Sequence, residues 1–168
     1  CKDFASCNYD IYVKVLNAKD FGVPQNRERV IIFGSRLDTK FSYPELSKSA
    51  IGKLKKYISV GEAIDDLQHR GDEVPNHLAL KHGETVVKRY QLIPEGGRLP
   101  PPNKLPPEIR RKNFGSASIR LDRNLPSMTL VPGNNAFPVH PKLNRSLTPR
   151  EAARIQSFPD EHIFTGTR

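Results

Sequence analysis

Near its N-terminus the chain carries two arginines directly in front of an apolar strand, and this feature constrains the fold more than any other. The turn at residues 24–29 (PQNRER) runs straight into residues 30–34 (VIIFG). A continuous apolar run of this length is typical of a strand that is covered on both faces, as in an α/β sheet. Such a strand would hold Arg27 and Arg29 at a sheet edge, where their guanidinium groups can meet a planar, hydrogen-bonding ligand. The alternative is that both are ordinary charges that protect a sheet edge.

A second strand is predicted just before this turn. Residues 10–17 alternate around Ile11, Val13 and Val15, and β-branched residues favour strands. We expect the two strands to form an antiparallel pair. Because a lone hairpin is only marginally stable in water, the pair should have neighbouring strands that this chain does not supply. The chain also starts at Cys1 without an initiator Met, so we interpret it as a fragment.

Composition points to a polyanionic partner. Lys and Arg number 27 against 18 Asp and Glu, a formal net charge of +9; the alternative is that this charge only aids solubility. Every apolar run is shorter than the roughly 20 residues that span a bilayer, so no membrane partner is expected. Cys1 and Cys7 make neither a zinc site nor a disulfide framework, and the five histidines lack ligand spacing. We therefore expect no metal and a reduced, cytoplasmic setting.

The middle of the chain is predicted to be rich in loops. Residues 70–118 are rich in Gly and Pro but contain apolar anchors such as Val86 and Tyr90, which predicts short strands between loops rather than disorder. Basic stretches at 36–57 and 103–123 flank much of this region; they form either solvated faces or a surface that tracks phosphates. Residues 59–62 (SVGE) fit a capping box and predict a short helix.

A last helix is predicted near the C-terminus. Thr148 is a natural N-cap, Pro149 occupies the first helical position and Glu151 completes a capping box. Pro159 should end the helix.

Two of these segments resemble known motifs. With residues 15–23 (VLNAKDFGV) before it, the turn at 24–29 resembles the eighth conserved motif of the cytosine-5 DNA methyltransferases, and residues 145–160 (RSLTPRE to QSFPD) resemble the ninth. Two signatures in family order are more specific than either alone. Weaker similarities at 59–67, 94–97 and 120–130 extend the resemblance over nearly the whole chain, least clearly at 70–115.

The resemblance implies a DNA (cytosine-5-)-methyltransferase. In that family a cysteine thiolate adds to carbon 6 of a cytosine flipped out of the duplex, and S-adenosylmethionine donates the methyl group to carbon 5. Arg29 would donate hydrogen bonds to the flipped base while staying charged, and Arg27 would support the cysteine loop or a nearby phosphate. The family's Pro-Cys-Gln, Glu-Asn-Val and Gly-rich cofactor motifs do not occur in this sequence. We therefore expect S-adenosylmethionine in the complete enzyme only, and no methyl transfer by this chain alone.

Between the two motifs the family carries its target-recognition domain. The candidate DNA-binding residues are Arg120, Arg123, Thr129, Arg110, Arg111 and Lys112. For any one arginine a phosphate contact is more frequent than a base contact. His140 is either a structural histidine or a DNA ligand. Arg150 and Arg154 in the last helix are scaffold salt-bridge partners first and DNA contacts second.

The expected fold is an α/β fragment in three parts. Residues 1–36 would be the last strands of a doubly wound methyltransferase sheet, 37–142 a small, loop-rich, mixed α+β target-recognition domain, and 143–168 the helix of the ninth motif and a tail. The expected partners are double-stranded DNA with a flipped cytosine and the missing N-terminal catalytic segment. The setting would be a bacterial cytoplasm, in a restriction-modification or a regulatory role.

Two alternatives to a truncated single-chain enzyme stay open. The chain could be a natural subunit of a split methyltransferase. It could also be a stand-alone basic nucleic-acid-binding module, which predicts salt-sensitive binding with little sequence preference.

Overall fold

The two predicted N-terminal strands pair as an antiparallel hairpin. The computed structural model describes residues 2–38, 40–44, 57–71, 73–110, 118–131 and 137–166. A short helix α1 (Lys2–Ser6) leads into β1 (Asp10–Asn17), which pairs with β2 (Glu28–Ser35) in a register that runs from Asp10 opposite Ser35 to Asn17 opposite Glu28. A 3-10 turn, Ala18–Phe21, follows β1 and ends at Gly22.

The two faces of the hairpin differ in how they are covered. On one face Val13 lies opposite Ile32 and Val15 opposite Val30, and these four side chains are 54–60% exposed. On the other face Phe41 stacks on Phe33 with ring centroids 3.8 Å apart. In the described part of the chain the sheet has only these two strands, so its membership of a doubly wound sheet stays a prediction.

The rest of the described chain packs around small helices. The helices are α2 (Val60–Ile64), α3 (Glu84–Gln91) and α4 (Pro149–Ile155), and further 3-10 segments span Asp65–His69, Pro102–Lys104 and Pro107–Ile109. Helices α2 and α4 pack against each other. Their buried side chains join Leu67, Leu121, Leu130 and Leu147 in one core. The C-terminal segment therefore shares its core with the middle of the chain.

The expectation of short strands at 70–118 was wrong for the residues described there. Residues 84–91 form helix α3, and in this region extended pairing is limited to isolated bridges such as Arg98 opposite Ile119. Val86 and Tyr90 are four residues apart, so a helix places both on one side, where they pack with Ile93 and Val139. The spacing of Val86 and Tyr90 fits a helix, whereas the β-branched residues of this segment fit a strand. The contacts with Ile93 and Val139 favour the helix.

Both capping boxes are confirmed. The Ser59 hydroxyl accepts from the Glu62 N–H at 3.2 Å, and the Glu62 carboxylate accepts from the Ser59 N–H at 2.9 Å. At α4 the corresponding distances for Thr148 and Glu151 are 3.1 and 2.8 Å. Reciprocal bonds of this kind satisfy amide groups that a helix start leaves unpaired. No helix in the described ranges is long and apolar enough to cross a membrane.

Candidate functional site

The turn at residues 24–29, called the arginine turn below, is clamped to a segment about a hundred residues later in the chain. The Asn26 N–H donates to the Ser127 carbonyl at 2.7 Å, and the Ser127 N–H donates to the Pro24 carbonyl at 2.9 Å. Gln25 lies between them, opposite Ser127 in a parallel bridge, and both are 1% exposed. Residues 127–130, the clamp segment, thus add a strand-like contact to the arginine turn.

Asn17 holds the same turn from the side of β1. Its side-chain Nδ2 donates to Asn26 Oδ1 at 2.6 Å, and its Oδ1 accepts from the Arg27 N–H at 3.1 Å and from the Lys19 N–H at 3.3 Å. The next residue, Ala18, donates its N–H to the Arg27 carbonyl at 3.0 Å. Both backbone groups of Arg27 are therefore fixed by the end of β1.

The two arginines of the turn lie at the start of β2. Arg27 is partly buried, and Arg29 is exposed opposite Leu16. Arg29 Nη1 donates to the adjacent Glu28 carbonyl at 2.6 Å. The backbone held by Asn17 and Ser127 thus presents an exposed guanidinium beside a turn in which the buried side-chain amide of Gln25 has no hydrogen-bond partner among the described residues.

Arg120 lies in the interior, contrary to the expectation of a DNA contact. It is 5% exposed. Its guanidinium donates to the carbonyl oxygens of Tyr90, Ile93, His140 and Leu143 at 2.6–3.0 Å. A buried cation is tolerated only with such partners, and these donors cannot also reach a base or phosphate. Arg120 is a structural residue that ties three loops together.

The other basic candidates lie at or near the surface. Arg123 forms an ion pair with Asp65, with Nε 2.8 Å from Oδ2, and this bond raises the pKa of Arg123. Burial raises the pKa of Asp65, but Arg123 and Lys142 outweigh it and hold that pKa below its ordinary value. Arg110 is exposed and donates to the Leu105 carbonyl at 3.2 Å. Arg111 and Lys112 lie outside the described residues.

Thr129 contacts the arginine turn. Its hydroxyl donates to the Asn26 carbonyl at 2.9 Å, across 103 residues of sequence. The residue is half-buried, and the next residue, Leu130, is 7% exposed in the core. The structure thus gives the hydroxyl proton of Thr129 an internal acceptor.

His140 is fully buried and behaves as a structural histidine. Its Nδ1 accepts from the N–H groups of Lys142 and Leu143, each at 3.1 Å, and its Nε2 lies 3.7 Å from Glu151 Oε1. Burial lowers the pKa of His140 to about 4, although Glu151 acts in the opposite direction. The imidazole is therefore neutral near pH 7, with its proton on Nε2 facing the carboxylate.

The arginines around α4 serve the scaffold, as expected. Arg145 makes a bidentate pair with Glu151 at 2.7 and 2.6 Å. Arg154 bonds Asp160 at 2.8 and 2.6 Å and also Asp66. Arg150 is fully buried and donates to the carbonyls at 75, 159 and 162. Salt bridges are thus confirmed for Arg154, while Arg150 relies mainly on carbonyl acceptors.

The clamp itself was not predicted from the sequence. Asn17 ends a strand and precedes a turn, where an Asn often caps local backbone, and that signal was available. Its contact with Asn26 and the contact of Thr129 with the same residue depend on how distant segments pack. In the described ranges, no three His, Cys, Asp or Glu side chains come together as a metal site.

Comparisons with known proteins agree with the family resemblance. The family model for C-5 cytosine-specific DNA methylase matches residues 1–168. The chain is 37% identical over 171 residues to the type II methyltransferase M.NgoFVII of Neisseria gonorrhoeae, covering 98% of this chain and 45% of that protein. It is 33% identical over 172 residues to M1.HphI of Haemophilus parahaemolyticus, covering 99% and 44%.

A solved structure shares the fold. A DNA modification methyltransferase encoded within an E. coli prophage superposes with a TM-score of 0.65 at 23% identity, over 95% of this chain and 53% of that one. The chain spans about half the length of the curated relatives it matches. On the match of the family model across its full length, the chain belongs to the C-5 cytosine-specific DNA methylases.

Proposed function

We propose that this chain is the DNA-recognition portion of a DNA (cytosine-5-)-methyltransferase, which transfers a methyl group from S-adenosylmethionine to carbon 5 of cytosine in a specific duplex sequence. The observation that carries the proposal is the clamp between the arginine turn and residues 127–130. It joins the turn that resembles a base-contacting motif to the part of the chain that resembles a recognition domain. Type II methyltransferases among the relatives favour a restriction-modification role.

Arg29 has the chemistry and exposure that a flipped cytosine requires. The reactive edge of a base is inaccessible inside the duplex, so the base must leave the stack before reaction. An exposed guanidinium can donate to the carbonyl oxygen of the extruded ring and keeps its charge at any working pH. Arg27, whose backbone is fixed by Asn17 and Ala18, would support the catalytic loop or a phosphate.

The uncovered face of the hairpin supports a catalytic segment as partner. Val13, Val15, Val30 and Ile32 leave an apolar surface in water on a hairpin that is marginal by itself. Strands or helices of the catalytic part would cover this face. The nucleophilic cysteine and the conserved glutamate would belong to that part.

The cofactor would also belong to the catalytic part. A nucleotide-binding glycine turn lies between a strand and the start of a helix. Gly22 and Gly96 have left-handed φ angles of 83° and 70°, but the segments after them lead to β2 and to the isolated bridge at Arg98, not to a helix. The described residues thus do not fit S-adenosylmethionine, and we assign no step of the reaction on this chain to it.

The remaining recognition candidates are surface cations. Arg123 and Arg110 are exposed and would contact phosphates, and Arg111 and Lys112 follow directly in sequence. Arg123 would have to exchange Asp65 for a phosphate oxygen, a change that an ion pair at the surface permits, since the Arg123 side chain is 45% exposed. Arg120 is not part of this set because its donors are used in the interior.

The test of the proposal is Arg29→Ala in the complete enzyme. We expect methyl transfer to fall about a hundredfold or more while duplex affinity changes little, because the partner of Arg29 is the flipped base. Single-turnover transfer of labelled methyl groups and duplex binding measure the two effects. Arg70→Ala, at an exposed arginine beside Glu73, is the matched control.

Other outcomes separate the alternatives. Equal losses of transfer and affinity in Arg29→Ala would assign Arg29 to the DNA backbone. Salt-sensitive binding without methyl transfer in any assembly would favour a stand-alone binding module. Peptide sequencing upstream of Cys1 in the native protein distinguishes a single-chain enzyme from a subunit of a split one.

A further inference from the structure

We infer that Arg89 of helix α3 is a positioning residue for DNA binding, because it anchors a loop whose exposed cations contact the phosphate backbone. The loop spans residues 98–110 and contains five prolines, so it is called the proline loop below. The inference rests on the proposed function, and it adds Arg89, Arg98 and Lys104 to the residues on which binding to the duplex depends.

The proline loop begins and ends on the same helix. Near its start, Leu99 packs against the apolar cluster around Tyr90 of α3. Near its end, residues 107–109 pack against α3, and the Arg89 Nε donates to the Ile109 carbonyl at 2.6 Å. The bond from Arg89 thus holds the last turn of the loop on the helix.

The loop is stiff between these two anchors. Its two 3-10 turns, Pro102–Lys104 and Pro107–Ile109, each begin with a proline, whose ring fixes the φ angle. Leu105 and Ile109 are each 3% exposed, so both turns are held by buried side chains. A loop that is ordered before it binds loses less conformational entropy when it meets its ligand.

The cations of the loop have no carboxylate partner in the part of the chain that the structure describes. Arg98, Lys104 and Arg110 are exposed, and Glu108 is the only acidic residue of the loop. Arg123, by contrast, is already paired with a carboxylate. The loop can therefore meet phosphates without first giving up an internal ion pair, and contacts of this kind supply much of the affinity for a duplex.

Arg110 is the cation whose position depends most directly on Arg89. Its N–H donates to the Pro107 carbonyl at 3.3 Å, and its Nη2 donates to the Leu105 carbonyl at 3.2 Å. A guanidinium carries five N–H donors, so others are left for a phosphate oxygen. Because Ile109 and Arg110 are neighbours, loss of the bond from Arg89 would allow both to shift.

The experiment replaces arginine by glutamine at three positions of the complete enzyme. Arg89→Gln removes the charge but keeps an N–H donor on the carbon that carries Nε, whereas Arg89→Met removes the charge and the donor. Arg110→Gln removes the phosphate contact. Arg70→Gln, at an exposed arginine away from the loop in sequence, is the matched control.

Duplex Kd and its salt dependence are measured for each variant and for the double variant Arg89→Met with Arg110→Gln. Amide exchange at residues 109–110 reports on the anchor in the absence of DNA. Thermal denaturation shows whether each protein is folded, and transfer of labelled methyl groups by the wild type tests the proposed function.

We expect Arg110→Gln and Arg89→Met each to weaken duplex binding roughly tenfold and to flatten the salt slope by about one unit. The double variant should bind no more weakly than either single variant, because both changes remove the same contact. Arg89→Gln and Arg70→Gln should match the wild type. Amide exchange at 109–110 should quicken in Arg89→Met and not in Arg89→Gln.

Two results would overturn the inference. Equal losses in Arg89→Gln and Arg89→Met, with additive losses in the double variant, would make Arg89 a phosphate ligand itself. Wild-type affinity and salt slope in Arg110→Gln would remove the loop from the DNA surface. If Arg89→Met is globally unstable, Arg89→Gln is compared with Arg110→Gln, and equal losses in these two would again overturn the positioning role.

Failure of the proposed function is a separate result. If the wild-type enzyme transfers no methyl group to cytosine, that function fails. The binding measurements and amide exchange then still decide whether Arg89 positions the proline loop.

Discussion

At the scale of single residues, Arg120 and Arg123 show how different two arginines in one loop can be. Arg120 is buried and donates hydrogen bonds to several carbonyl groups, whereas Arg123 lies at the surface in an ion pair with Asp65. We expect Arg120→Met to lower the free energy of unfolding by about 3 kcal/mol or more, because buried carbonyl oxygens lose their donors. Arg123→Met should change stability little but reduce the salt slope of duplex binding. Urea denaturation and binding titrations of the complete enzyme measure both.

The same two measurements would also reveal an error in the interior role of Arg120. If Arg120→Met unfolded at the wild-type urea concentration and bound DNA more weakly, its interior role would be wrong and the DNA-contact hypothesis would be restored. The difference between the two arginines could not be read from sequence, because they lie three residues apart in one segment and only the packing of the loops around Tyr90 and Leu143 separates them.

At the scale of elements, the start of α4 predicts a pH dependence of stability. The pKa of His140 falls from 6.5 to about 4 on burial. Between these values the unfolded state binds a proton that the folded state does not, so stability should fall by about 3 kcal/mol as the pH drops from about 6.5 to 4. Burial raises the pKa of Glu151, but Arg145 and the Thr148 N–H outweigh it, so further stability is lost below about pH 4.5.

Urea denaturation across pH 4–8 checks this prediction in His140→Asn, whose side-chain oxygen can still accept from the N–H groups of Lys142 and Leu143. We expect the variant to lose most of the slope between pH 6.5 and 4.5. The same substitution at the exposed His69 is the matched control. An unchanged slope in His140→Asn would show that other groups dominate acid denaturation.

At the scale of the whole molecule, the uncovered face of the hairpin predicts that a lysine at Ile32 is favourable in the isolated chain and unfavourable in the complete enzyme. Ile32 is 54% exposed in this chain. Ile32→Lys should therefore reduce self-association of the isolated chain, measured by sedimentation. In the complete enzyme the same lysine would be buried against the catalytic segment and should lower stability by about 3 kcal/mol or more, measured by thermal denaturation.

Leu78→Lys is the control for this pair of measurements, because Leu78 is 70% exposed and lies away from the hairpin in sequence. It should be tolerated in both contexts. Tolerance of Ile32→Lys in the complete enzyme would mean that solvent, not protein, covers this face.

The sequence alone determined the features that depend on neighbouring residues. The strand pair around the arginine turn and the capping boxes at Ser59 and Thr148 are local patterns, and all of them are present. The scaffold role of Arg154 was also expected. Helix α3 was missed because its strand-like composition was interpreted without the partners that its apolar side meets, Ile93 and Val139.

Only the tertiary structure decided which side chains face inward and which distant segments meet. Arg120 is buried, Thr129 bonds the arginine turn, and Asn17 and Asn26 connect across the hairpin. Each of these contacts joins residues far apart in sequence or depends on the path of a loop. Local propensity carries no information about such pairs, since the hydrogen bonds of a loop are satisfied by whatever the packed core brings within reach.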